Sequence, residues 1–248
     1  MTSIAGTIIT ACGGICRSVA DIAVPPLCPL CKAELSCGPR RLCTACEQQL
    51  PCLPERRCPG CGGANDSYLD LCRDCLECGG RPWAAAVSAF PFAGQLREAV
   101  HAFKYQRQTS LAPFLAGAMA DAWRRYGAAA AAAPDLIVPV PLHWLREISR
   151  GYNQAGLLAQ CLGRELRRPA VNALRRRRRT SQQARLHYQE RLKNISGAFM
   201  VKKPSIIVGK SLLLVDDVFT TGATLSAATT ALLAAGAAAV YVITAARD

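Results

Sequence analysis

From residue 83 onward, apolar positions follow two alternating rhythms. WAAAVSAF (83–90) is a short apolar run suited to a strand, and FAGQLREAVHAFKYQ (92–106) repeats its apolar positions at helical spacing. LAPFLAGAMADAWRRY (111–126) predicts a second amphipathic helix, closed by Gly127 and an alanine run. DLIVPVPLH (135–143) reads as a buried strand ending in prolines, because Pro139 and Pro141 cannot continue a central ladder. GYNQAGLLAQCLGREL (151–166) is helical, SLLLV (211–215) is a strand, ATLSAATTALLAAG (223–236) is a helix stopped by Gly236, and AVYVITAAR (239–247) is a final strand. Strands alternating with helices predict an α/β fold whose mainly parallel sheet is covered on both faces. Such sheets bind ligands at the carboxyl ends of their strands, beside helix N-termini.

The first 82 residues have a different texture. Ile4, Ile8, Ile15, Val19 and Ile22 predict a short amphipathic helix within residues 1–26 rather than a secretory signal, since a basic n-region is missing. Thirteen of the 14 cysteines then lie before residue 80. Eight form the pairs Cys28/Cys31, Cys43/Cys46, Cys58/Cys61 and Cys72/Cys75, in a C-x2-C-x11-C-x2-C unit followed by C-x2-C-x10-C-x2-C. Two residues between cysteines let one tight turn aim both sulfurs at a common point, and two such turns complete a tetrahedral Zn²⁺ site. Four thiolates leave no position for water, so both sites are read as structural, a double zinc ribbon over residues 27–80. A disulfide framework would need an oxidising compartment, and the N-terminus does not direct the chain to one. Cys12, Cys16, Cys37, Cys52, Cys78 and Cys161 fall outside the repeat and read as ordinary small residues. With no run of about 18 apolar residues to span a bilayer, the expected location is the cytoplasm.

Charge narrows the class of partner. Between Val140 and Lys210 stand 16 Lys or Arg against 3 Glu and no Asp, an excess equal to the whole net charge of +13. A basic field this concentrated suggests a polyanion, either a phosphate ester, a pyrophosphate or nucleic acid. An Arg-rich solvated face is the plainer reading for any single arginine within it.

The most specific chemistry lies in LLLVDDVFTTGATL (212–225). Its apolar residues suit a strand buried on both faces, and Asp216 and Asp217 mark its emergence at the carboxyl edge. The helix beginning near Ala223 offers free N–H groups and a positive dipole end. Gly222 allows close backbone approach, and Thr220, Thr221 and Thr224 add hydroxyl donors. Donors for a phosphate beside acceptors for a diol or for Mg²⁺-bound waters describe a site for a ribose 5-phosphate.

This run resembles the motif by which type I phosphoribosyltransferases bind 5-phosphoribosyl 1-diphosphate (PRPP). More narrowly, the chain resembles the ComF family of competence-related proteins. The likeness extends over the cysteine turns, FKYQ (103–106), IVPVPLH (137–143), RGYNQ (150–154), LRRRRRTSQQARLHYQERLKNISGAF (174–199) and VDDVFTTGATL (215–225). It implies a zinc-finger module followed by a phosphoribosyltransferase domain, here residues 83–248. It further implies that Asp216 and Asp217 bind the ribose hydroxyls at the reacting centre, and that Thr220, Thr221, Gly222, Ala223 and Thr224 hold the 5-phosphate. Arg150 becomes a candidate for diphosphate contact, with Lys104 a weaker one. Residues 175–194 correspond to a flexible hood, in which Thr180, Gln183, Arg191 and Asn194 match the family pattern. The run Arg175–Arg179 is richer in arginine than the family's usual sequence and leaves open which member reaches a ligand.

The resemblance implies Mg²⁺-dependent phosphoribosyl transfer to an unidentified acceptor and a part in DNA uptake. The alternative is a non-catalytic, PRPP-responsive module that binds single-stranded DNA or the proteins of DNA import. A nucleobase salvage enzyme would share the PRPP motif without the cysteine turns. A glutamine-dependent amidotransferase would carry a cysteine where Thr2 stands. His101, His143 and His187 read as packing or surface residues, as do Trp144 and Tyr152, although these last two could stack on a base.

Overall fold

A computed structural model describes residues 27–35, 42–127, 133–177 and 197–248. The expected N-terminal helix, Cys12, Cys16, Cys37, Arg178, Arg179, Thr180, Gln183, His187, Arg191 and Asn194 lie outside the described residues. The chain divides into two compact units, Met1–Leu50 and Pro51–Asp248.

In the first unit, Leu27 and Glu34 form an antiparallel bridge around a tight turn. The turn is closed by Lys32 N–H to Cys28 O (2.9 Å) and Cys28 N–H to Ala33 O (2.7 Å). Helix α1 (Thr44–Gln48) follows, with Cys43 at its N-cap. The second unit opens by repeating this plan. Arg57 bridges Ala64, Gly62 N–H reaches Cys58 O at 2.7 Å, and α2 (Arg73–Glu77) begins after Cys72. The duplication legible in the cysteine spacing is therefore a duplication of structure. Its second copy shares a compact unit with the sheet.

That sheet comprises β1 (Ala85–Pro91), β2 (Leu136–Pro139), β5 (Ser211–Phe219) and β6 (Ala239–Arg247), in the order β1-β6-β5-β2. Every neighbouring pair is parallel. Leu212 to Val215, at the centre of β5, are fully buried, as a strand covered on both faces must be. One face is packed by α4 (Leu111–Ala122) and α6 (Gln154–Leu166). Over the other, a continuous apolar cluster joins Leu212, Leu214, Val240 and Val242 to Leu225, Ala228 and Leu232 of α7 (Ala223–Ala234). The same cluster includes Cys58, Cys61, Cys75 and Trp83, so the second cysteine module is packed into the sheet's own core. The ribbon between β3 (Leu174–Arg176) and β4 (Phe199–Val201) lies against α7 and is antiparallel.

Three local features depart from the sequence reading. The apolar run 111–126 leaves α-helical geometry at Trp123, and Trp123–Gly127 forms a π-helical turn. Its last residue has to be small, since a Cβ on Gly127 would lie 2.4 Å from the Trp123 ring. A short helix, α5 (Trp144–Arg150), fills the segment after the prolines. His143 accepts from Leu145 N–H at its start (3.4 Å), and Gly151 ends it in the left-handed region at φ 83°. Most consequential, β5 does not end before the aspartates. It pairs with β6 as far as Phe219, whereas its pairing with β2 ends at Val215 opposite Pro139. Past Val215 the strand has one neighbour among the described residues instead of two.

Candidate functional site

The acidic pair therefore sits on a step. β2 peels away at Pro139, and its last link is Val140 N–H to Val215 O at 2.9 Å. Asp216 and Asp217 continue a pleated strand, so their side chains leave on opposite faces. Asp217 is buried at 8% exposure and meets Lys104 of α3 (Gly94–Tyr105), whose Nζ stands 2.9 Å from Oδ1. Asp216 folds back to accept the Asp217 backbone N–H at 2.9 Å. Burial and then the Asp217 charge push the Asp216 carboxyl up to about 7, while Lys104 and Arg176 pull the other way. A carboxyl raised in this way suits a group that binds cations or hydroxyls reversibly.

Beyond Phe219 comes the turn. Gly222 has φ 79° and is the N-cap of α7. The first intrahelical bond is Ser226 N–H to Gly222 O (2.8 Å), which leaves the first-turn N–H groups of Ala223, Thr224 and Leu225 without an intrahelical acceptor. Those donors and the helix dipole favour an anion. Gly222 is glycine for two reasons. Its φ is left-handed, and a Cβ would lie 2.7 Å from Phe219 Cζ and 3.1 Å from Arg81 Nη1.

The other candidates are distributed as follows. Lys104 is held by Asp217. Arg150 donates to Gln154 Oε1 (3.0 Å) and to the Tyr105 hydroxyl (3.3 Å), and lies over the Tyr105 ring. Tyr152 packs on Phe103 and donates its hydroxyl to the Phe103 carbonyl. Trp144 is exposed beside His143. Within the described part of the arginine run, strand alternation separates the side chains. Arg175 and Arg177 are exposed, whereas Arg176 is half-buried over the Phe199 ring and acts on Asp216. The sequence reading did not single out Arg81, Trp83 or Arg247. Arg81 donates to Thr221 O at 2.9 Å, Trp83 packs edge-on to Phe219, and Arg247 lies over the same ring. An arginine and a tryptophan directly after the last cysteine turn were the available signal. Their partners lie about 140 residues away in sequence, beyond the reach of any local pattern.

Each cysteine quartet converges. The sulfurs of Cys28, Cys31, Cys43 and Cys46 lie within 4.8 Å of one another, as do those of Cys58, Cys61, Cys72 and Cys75. Cys31 and Cys43 are 3.5 Å apart, and Cys61 and Cys72 are 3.7 Å apart. Tetrahedral Zn–S bonds of about 2.3 Å separate sulfurs by about 3.8 Å, so both quartets fit the ion. In the second quartet, hydrogen bonds from Cys61 and Cys75 hold the Cys58 thiol well below its ordinary range. Its bonds to Cys58 and Cys61, together with burial, push Cys75 up. A divalent cation taken up by the quartet displaces the protons these thiols hold.

Residues 115–248 match the family model of the phosphoribosyl transferase domain. The chain is 34% identical to the DNA utilization protein YhgH of Escherichia coli O6:H1 over 206 residues, 82% of this chain and 89% of that protein. It is 36% identical over 170 residues to competence protein F of Haemophilus influenzae, covering 64% of this chain and 70% of that one. It is 28% identical over 176 residues to competence protein ComFC of Bacillus subtilis, covering 66% of each chain. No helix among the described residues is long and apolar enough to cross a membrane.

Proposed function

Because this chain belongs to the ComF family of proteins with a phosphoribosyltransferase domain, we propose that the free edge of β5 and the N-terminus of α7 bind PRPP. We further propose that the protein uses this ligand in DNA uptake or utilization. The observation that carries the reading is the adjacency of Asp216 and Asp217 to the left-handed Gly222 turn. With the ribose lying across the edge of β5 that β2 leaves uncovered, the two carboxylates reach it from either face of the strand and accept hydrogen bonds from its 2- and 3-hydroxyls. The first-turn N–H groups of α7, with the hydroxyls of Thr220, Thr221 and Thr224, donate to the 5-phosphate. Arg150, at the end of α5, contributes positive charge for the diphosphate. Lys104 holds Asp217 in place and offsets part of the pair's mutual repulsion.

In the transfer reaction an acceptor's lone pair forms the bond to the anomeric carbon. The carbon–oxygen bond to the diphosphate breaks, and its electron pair leaves on pyrophosphate. Mg²⁺, bound with the diphosphate, would neutralise charge on that leaving group. Arg176 supplies cationic charge on the Asp216 side. The acid pair is fitted to bind the hydroxyl edge of the sugar and so to aim the anomeric carbon at the acceptor.

Calorimetry with PRPP and Mg²⁺ tests the site. The double variant Asp216→Asn, Asp217→Asn is expected to lose binding while its unfolding transition is retained. Binding equal to the parent's would refute the assignment. A screen of bases, nucleosides and single-stranded DNA for pyrophosphate release identifies the acceptor.

The non-catalytic reading draws on the basic excess between Val140 and Lys210 and on the competence and DNA-utilization names of the relatives. In it, PRPP occupancy tunes single-stranded DNA binding by the arginine segment. DNA affinity then drops steeply with salt and falls when Arg175–Arg179 are replaced by alanine. Unchanged affinity in that variant would remove the segment from the interface.

A further inference from the structure

The second cysteine quartet has no part in PRPP binding as proposed, yet it lies in the same core cluster as Trp83 and Phe219. Two chains of contact run from it to the phosphate loop. The first runs through Arg81. Its guanidinium lies over the Trp83 ring, 5.7 Å from the centroid, and over the Phe219 ring at 5.6 Å, and its Nη1 donates to Thr221 O at 2.9 Å. The peptide between Thr221 and Gly222 is planar and trans, so its N–H points opposite to its carbonyl. Pinning the Thr221 carbonyl towards Arg81 therefore turns the Gly222 N–H away from Arg81, adding a fixed donor to those of the α7 first turn. The second chain runs through packing. A Cβ on Gly60 would stand 2.9 Å from Cys75 Sγ, so this backbone hugs a ligand sulfur. Trp83 Nε1–H donates to Gly60 O at 2.8 Å. The Trp83 ring meets Phe219 edge-on, with centroids 5.8 Å apart, and Phe219 in turn closes on Gly222.

We propose that the Cys58/Cys61/Cys72/Cys75 cluster braces the phosphate-binding loop through Arg81 and Trp83. Arg81 is then a positioning residue for the 5-phosphate, and metal loading of this cluster sets the affinity of the sugar-phosphate site. The ligand half of this inference rests on the PRPP reading, but the mechanical half does not. Metal ligation fixes the turn that carries Gly60 and, through the Gly60 carbonyl, the Trp83 ring on which Arg81 lies. Without it, Trp83 and the guanidinium lying over it lose their footing, and the loop samples more conformations.

The test uses the full chain, zinc-loaded or chelator-treated, beside Arg81→Ala and Arg81→Lys. Hydrogen exchange at Ser226, whose N–H is bonded to the loop at Gly222 O, measured without ligand, is expected to quicken about tenfold in Arg81→Ala and on metal removal, with partial recovery in Arg81→Lys. Calorimetry is expected to show ribose 5-phosphate binding about tenfold weaker in zinc-loaded Arg81→Ala. Affinity for magnesium diphosphate, which does not use this loop, stays within about twofold. Unchanged exchange in Arg81→Ala overturns the brace, and equal loss for both ligands overturns the positioning role in favour of general destabilisation. If the parent itself ignores ribose 5-phosphate, the PRPP reading fails, and the exchange rates still decide whether cluster and loop are joined. Should chelation unfold the chain, the zinc-loaded Arg81 variants decide between brace and no brace on their own.

Discussion

Gly222→Ala separates two costs that the structure assigns to one position. The first is conformational, because φ at 79° lies in the left-handed region, where a Cβ costs about 1–2 kcal/mol. The second is steric. The new Cβ would stand 2.7 Å from Phe219 Cζ and 3.1 Å from Arg81 Nη1. Phe219 is fully buried and wedged against Trp83, so it cannot swing aside cheaply, and overpacking of this kind costs about 1–3 kcal/mol. The sum is about 2–5 kcal/mol, to be set against the roughly 5–15 kcal/mol of an ordinary domain. Gly209→Ala is the control, since its φ is similar at 69° and nothing lies within 4 Å of the added Cβ. It is expected to cost only the conformational part. Urea unfolding of both variants, followed by circular dichroism and by tryptophan fluorescence, measures the difference. If Gly222→Ala costs no more than Gly209→Ala, the Phe219 wall against the loop is wrong, and with it the second chain of contacts to the cysteine cluster.

Further outcomes follow from charge and from metal. In the folded chain burial, and then the Asp217 charge, push the Asp216 carboxyl up from 3.8 to about 7. The folded state therefore holds the proton more tightly, and this group's contribution to stability, full below about pH 4, is lost as pH rises through 7. Ligand binding runs the other way if it needs the carboxylate. PRPP affinity in the presence of Mg²⁺ should fall roughly tenfold per pH unit below 7, and Asp216→Asn should flatten both profiles. Titrations in buffers of different ionisation enthalpy detect the released proton. Elemental analysis should return about two zinc per chain; one or none would refute the double cluster.

Much of this protein was legible along the chain because the relevant physics is local. Strand and helix rhythms after residue 83 follow from which face of each element is buried. Two cysteines three positions apart converge through one turn, and a repeated spacing repeats the structure. The DDVFTTGATL run carries its own turn chemistry, so the glycine and the donors beside it could be read without coordinates. Other features depended on pairings that no window of sequence contains. That β5 keeps β6 to Phe219 but loses β2 at Val215 is set by where Pro139 falls in a neighbouring strand. That Lys104 holds Asp217, and that Arg176 rather than its neighbours turns inward, depends on which elements pack together. The second cysteine quartet is continuous with the sheet's core because Trp83, Arg81 and Phe219 meet across about 140 residues of chain. Sequence determines what each segment can bury or donate; only the closed fold decides which distant segment receives it.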